Sequence, residues 1–189
     1  MLRQPLETGT VTLSRASGTT TYPANFMLVC AMNPCQCGWY GSGGVHTCTC
    51  TAQSRAKYMG KVSGPLLDRI DIHVNVSGVT FDDMSDSRVG EPSSAIRERV
   101  NRARARAHLR GFVCNARIPA ARLHEMDVFE EEAKSLLRAA FDSLGLTGRS
   151  YDKILRIALT IADLADADKV GAMHVAEAIQ YRSLDRKED

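Results

Sequence analysis

Phe26-Met27-Leu28-Val29-Cys30-Ala31-Met32, followed at once by Asn33-Pro34, is the stretch whose reading decides the fold. An uninterrupted apolar run of this length matches a parallel strand buried on both faces, and the Asn-Pro pair ends it abruptly. The position just beyond the carboxyl end of such a strand is where α/β proteins place their chemistry. Downstream come Cys35-Gln36-Cys37, a glycine-rich spacer and Cys48-Thr49-Cys50. Ser63-Gly64-Pro65-Leu66-Leu67-Asp68-Arg69 then turns the chain into a second apolar run, Ile70 to Val76, read as another strand.

Cys35, Cys37, Cys48 and Cys50 present four soft ligands that suit a tetrahedral Zn²⁺ site, with metal–sulfur distances of ~2.3 Å. One residue between paired cysteines is tighter than the usual spacing. Gly38, Gly41, Gly43 and Gly44 let the spacer fold back so that the pairs face each other, with His46 as a substitute ligand. Four free thiols or a pair of disulfides are the competing readings. Zinc is preferred, because a polar loop with little core gains most of its order from metal. Cys30, inside the apolar run, reads as core filling.

The 189-residue chain has 44% apolar residues and a formal net charge of +2, enough for a packed core and no strong argument for an anionic partner. No apolar run approaches the ~18 residues of a membrane span, and no signal-peptide pattern opens the chain. The expectation is a cytoplasmic protein with reduced thiols and no membrane partner.

Pro5 to Gly9 reads as a helix end and turn, and Thr10 to Tyr22 as a β-hairpin around Ala16-Ser17-Gly18. Thr51 caps a short helix to Lys61. Residues 77–92, rich in Asp, Gly and Ser, read as a linker between residues 1–76 and a helical domain over 93–189. In that domain a first helix runs from Ser93 or Ser94 to Arg110, with Ile96, Val100, Ala103 and Ala107 on one stripe. Arg99, Arg102, Arg106 and Arg110 form a basic stripe beside it, read as a solvated face with nucleic-acid or subunit contact as the alternative. Helices follow from Pro119 to Met126, Asp127 to Gly145, Thr147 or Gly148 onward, and Ala172 to Leu184.

Phe26-Met27-Leu28-Val29, Ala31-Met32-Asn33-Pro34 and Gly64-Pro65-Leu66-Leu67-Asp68-Arg69-Ile70-Asp71 together resemble the second half of an AAA+ ATPase core. The branch they resemble joins magnesium chelatase ATPase subunits to the ComM/YifB proteins, and the cysteine insertion at 35–50 tips the match toward the latter. The fold this implies is the C-terminal half of an α/β AAA+ core followed by an all-α lid. Asn33, on spacing alone a turn asparagine, falls on the first-sensor position. Arg69, on its own a salt-bridge partner for Asp68 or Asp71, falls on the arginine finger, a group that accelerates phosphoryl transfer by ~10³–10⁵. Arg149 falls where the second sensor reaches the γ-phosphate, with Arg156 sharing its helix face and either assisting it or pairing with Asp152. The hairpin would point into a ring's channel, placing Arg15 against a DNA backbone.

No Gly-x-x-x-x-Gly-Lys-Ser/Thr and no Mg²⁺-binding acidic strand occur in the chain. The resemblance puts both upstream of Met1, so ATP and Mg²⁺ belong to a complete protein and this polypeptide alone is expected to be inactive. What the family implies is a hexameric ATP-driven motor acting on DNA in branch migration, a helicase-type activity. Two other classes stay open: a magnesium chelatase motor subunit, which has no use for the thiols, and a non-enzymatic zinc module binding DNA.

Overall fold

The computed structural model describes residues 2–43, 46–76, 78, 79, 81–85 and 90–182. The chain divides into two compact units, Met1–Ile70 with Asn75–Met84, and Asp71–Val74 with Ser85–Asp189.

In the first unit, helix α1 (Arg3–Thr8) closes on Gly9, whose φ of +67° is a left-handed turn that favours glycine. Strands β1 (Thr10–Arg15) and β2 (Gly18–Pro23) pair antiparallel from Thr10 opposite Pro23 to Arg15 opposite Gly18, the hairpin the alternating sequence predicts. Hydroxyl pairs Thr12–Thr21 at 3.1 Å and Ser14–Thr19 at 3.2 Å link the strands through their side chains. Helix α2 (Ala52–Met59) begins where Thr51 accepts a hydrogen bond from the Ser54 amide, as the capping pattern requires. Short helices α3 (Gly64–Leu67) and α4 (Phe81–Ser85) follow, the second inside the stretch read from sequence as a linker.

The two expected parallel strands do not form. The β1–β2 ribbon is the one sheet among the described residues. Phe26 to Met32 forms no regular element and is largely exposed, with Met27 at 87% and Val29 at 79%, and Cys30 is exposed where burial was expected. Residues 70–76 likewise carry no strand. The reason is that extended backbone becomes a strand only when a neighbour pairs its N–H and C=O groups. No described segment supplies that ladder to either run; from the second, the His73 amide donates to the Tyr181 carbonyl at 2.8 Å without starting a strand.

The second unit is helical, as its periodicity predicts. Helices α5 (Ser93–Leu109), α6 (Ala120–Glu125), α7 (Glu131–Leu144), α8 (Gly148–Leu164) and α9 (Ala172–Gln180) surround a core that includes Ile118, Leu123, Leu137, Ile154, Leu159, Val170 and Val175. Helix α8 is central because its apolar positions run round much of its circumference, and it packs on α5, α6 and α9. Thr147 caps it by accepting from the Ser150 amide. Helix α7 starts at Glu131 and not Asp127, because Phe129 is diverted into a bridge with Val170. It ends at Gly145 (φ +59°). On α5, Ala103 and Ala107 are buried, while Ile96 and Val100 at the same stripe remain substantially exposed. Helix α9 is observed to Gln180, and the stretch expected to extend it to Leu184 runs past the described residues.

Candidate functional site

Cys35, Cys37, Cys48 and Cys50 converge: their sulfur atoms all lie within 4.8 Å of one another. The loop achieves this with a tight turn, in which the Gly38 amide donates to the Cys35 carbonyl at 3.1 Å and Gly38 adopts a φ of +86°. Cys35–Cys37, Cys35–Cys48 and Cys37–Cys48 sulfurs are 3.4, 3.7 and 3.6 Å apart. Four thiolates about 2.3 Å from a shared centre would sit roughly 3.8 Å from one another, so the donor set fits a tetrahedral metal ion. All four are free thiols, with no disulfide among them. His46 is not a member of the group: its ring lies 4.4 Å from that of Trp39.

Electrostatics separates the four thiols. Backbone hydrogen bonding from Trp39 lowers Cys37 to about 6, helped by Cys35 and the Thr49 amide. At Cys35, burial and Cys37 push upward but are outweighed by the Tyr40 amide, Cys48 and the Gly38 amide, so its thiol is also lowered. For Cys50 the Cys37 amide pulls down, yet neighbouring thiols, burial and the charge on Cys35 prevail and raise it to about 11. Cys48 is raised as well; the Cys50 amide opposes this, and burial with the adjoining thiols overcomes it. Thiols this close cannot all ionise together without a cation between them.

The residues assigned by resemblance fall in both units. Asn33 is exposed, on the turn entering the cysteine loop. Arg69 is half-buried behind α3, donating to Glu7 at 2.6 Å and to the Pro65 carbonyl at 2.6 Å, and not to Asp68 or Asp71 as its salt-bridge reading expects. Arg15 is exposed at the end of β1. In the second unit, Arg149 is exposed on the first turn of α8. Arg156 donates through Nε to the Ile118 carbonyl at 3.0 Å, while Asp152 takes a bond from His124 at 2.8 Å. The Arg156–Asp152 pair considered from spacing is thus replaced.

The basic stripe of α5 is largely committed to carboxylates. Arg99 pairs with Glu91 at 2.7 Å and Arg102 with Glu98 at 3.4 Å. Arg106 reaches Asp166 and Asp168, both at 2.8 Å, and Arg110 grips Asp163, whose side chain is fully buried. Asp163 escaped the sequence reading. Its signal was a carboxylate four residues after Leu159 and eight after Leu155, on the helix face those leucines mark as apolar.

Set beside known proteins, residues 1–84 match the family described as magnesium chelatase, subunit ChlI, and residues 90–182 match its C-terminal counterpart. The chain therefore belongs to the magnesium chelatase-like family, of the ComM/YifB type. It is 36% identical over 186 residues to "Uncharacterized protein YifB" of Escherichia coli K12, covering 98% of this chain and 36% of that protein. "Uncharacterized protein Rv2897c" of Mycobacterium tuberculosis H37Rv is 38% identical over 185 residues, 96% of this chain and 36% of the relative. "Competence protein ComM" of Haemophilus influenzae Rd is 35% identical over 186 residues, again 98% and 36%. The chain spans little more than a third of the length of these relatives. Among the described residues no helix is long and apolar enough to cross a membrane.

Proposed function

We propose that this chain is the sensing and trigger portion of an ATP-driven, DNA-processing AAA+ motor of the ComM type, built round a structural zinc centre. The observation that carries the reading is the convergence of Cys35, Cys37, Cys48 and Cys50 between Asn33 and Arg69. A chelatase motor subunit has no use for such an insertion, and one of the relatives carries a competence name. Zinc would be held by the four thiolates and would supply order to a loop that has little apolar core. In the complete protein Asn33 orients the attacking water, Arg149 contacts the γ-phosphate from the lid, Arg156 supports that helix face, and Arg69 serves the ATP site of a neighbouring subunit in a ring. Arg69 would have to leave Glu7 to do so, which makes that ion pair a resting position for the trigger. Arg15, at the hairpin end, touches the DNA backbone, and the protein works in the cytoplasm.

Two measurements test this. Elemental analysis of the purified chain is expected to give one zinc per chain; no zinc, with all four thiols titrating freely in the native state, refutes the zinc centre. In a full-length protein of this type, Arg69→Ala and Arg149→Ala should each abolish most ATP turnover, whereas the isolated chain, lacking a phosphate loop, should show none. Normal turnover in the Arg69→Ala protein would overturn the trigger assignment.

A further inference from the structure

Trp39 and Tyr40 stand between the cysteine pairs with 45% of each residue exposed. They belong to no core, and a loop that displays two adjacent large rings forgoes their burial. The rings are nonetheless held. Trp39 follows Cys37 by two residues and its ring lies 4.4 Å from that of His46, so the loop that gathers the sulfurs also carries the aromatic pair. Arg55, from α2, lies 4.3 Å from the centre of the Tyr40 ring, and its Nη1 is pinned to the Cys50 carbonyl at 2.8 Å. Between the rings, His46 and Arg55 lies an open cleft of about 380 Å³. That volume falls within the ~300–1,000 Å³ of small-molecule sites, large enough to admit one flat aromatic group.

Among the described residues that line the cleft, Arg55 is the one with a permanent charge. From Thr8 to Leu67 the sequence contains no Asp or Glu, while Arg15, Arg55, Lys57 and Lys61 all fall in that span. A stacking surface with an arginine and no carboxylate in its lining suits a ligand with flat apolar faces and a negative backbone.

We propose that Trp39, Tyr40 and Arg55 form a platform on which unpaired bases of single-stranded DNA stack, with the cysteine centre holding the platform in shape. The proposal rests on the zinc and DNA readings above and adds to them the site and the strand state it takes. Duplex DNA keeps its bases stacked inside the helix and offers this platform only phosphates. A motor that separates or exchanges strands exposes the ligand the platform fits.

The test uses the zinc-loaded chain, a fluorescein-labelled dT20 oligonucleotide and a 20-base-pair duplex at fixed salt. Trp39 is the one tryptophan in the sequence, so its emission reports the site without any substitution. Addition of dT20 should quench that emission, and the duplex should bind at least fivefold more weakly. Trp39→Ala with Tyr40→Ala should weaken dT20 at least fivefold, the low end of what base stacking on a side chain contributes. Trp39→Phe, which keeps a ring, should stay within threefold, and zinc content should be unchanged in both variants. The proposal is overturned if dT20 leaves the tryptophan emission unchanged, if the double variant binds within twofold of the unmodified chain, or if duplex binds as tightly as dT20. Binding of dT20 that is lost in Arg15→Ala but untouched by the double variant would keep the DNA reading and remove the platform. Quenching by dT20 in a chain whose longer form shows no ATP turnover would keep the platform and remove the motor.

Discussion

Asp163→Asn should destabilise the helical unit more than any surface change, and the size of the effect follows from the contacts of one carboxylate. The Asp163 side chain has no exposed surface and is gripped by both terminal nitrogens of Arg110, one at 2.7 Å, while Asn115 Nδ2 donates at 2.7 Å and Arg106 Nε lies 3.4 Å away. Asparagine keeps the shape but removes the charge, and it turns an amide hydrogen toward arginines that need an acceptor. Arg110 is only 17% exposed, so water cannot fully replace the lost partner. Removing one member of a buried pair costs about 3–5 kcal/mol. With a urea dependence of about 2 kcal/mol per molar, the unfolding midpoint followed by helical circular dichroism should fall by roughly 2 M. Asp163→Leu combined with Arg110→Met should lose less than Asp163→Asn alone, since it leaves fewer unpaired charges. A loss under about 1 kcal/mol for Asp163→Asn would show that the pair is solvated in solution and would refute this account of what joins α5 to α8.

Further changes probe other links. Leu159→Ala, at a position 1% exposed on α8, should cost about 2–5 kcal/mol in the same urea assay. Thr147→Ala removes the acceptor of the Ser150 amide and should cost about 0.5–2 kcal/mol, with Thr147→Ser recovering most of it. Met27→Lys, at a position 87% exposed, should change stability by no more than about 0.5 kcal/mol and should reduce binding of an apolar dye to the chain.

The helical unit was legible from sequence because its information is local. Apolar spacing at three and four residues, Thr147 and Gly145 at the ends of α8 and α7, and the acidic start of α7 each act within a few residues of where they are read. The hairpin and α2 were legible for the same reason. Phe26 to Met32 and Ile70 to Val76 were not, because strand formation depends on a distant partner that no local pattern reveals. At the candidate site, the cysteine spacing predicted convergence, and convergence is observed. The pairing of Arg69 with Glu7 was invisible, since the two are 62 residues apart and nothing in either neighbourhood specifies the other. The Arg99 and Arg102 side chains keep much of their surface in solvent, as the solvated-face reading expects, but Arg106 and Arg110 are largely covered for a related reason. Asp163, Asp166 and Asp168, which anchor the C-terminal half of that stripe, come from the end of α8 and the loop after it.

The β1–β2 ribbon packs at its base on α1 and is otherwise wet on both sides, its rungs made of hydroxyl groups. Folding asks little of such a ribbon: residues beyond the base can be exchanged, recharged or extended with small effect on the unit that carries them. A two-stranded hairpin of this kind is marginally stable by itself. Any rigidity or sequence restriction found at Arg15 and its neighbours in working protein would then be imposed by whatever the ribbon touches, making it a sensitive place to attach a reporter of engagement.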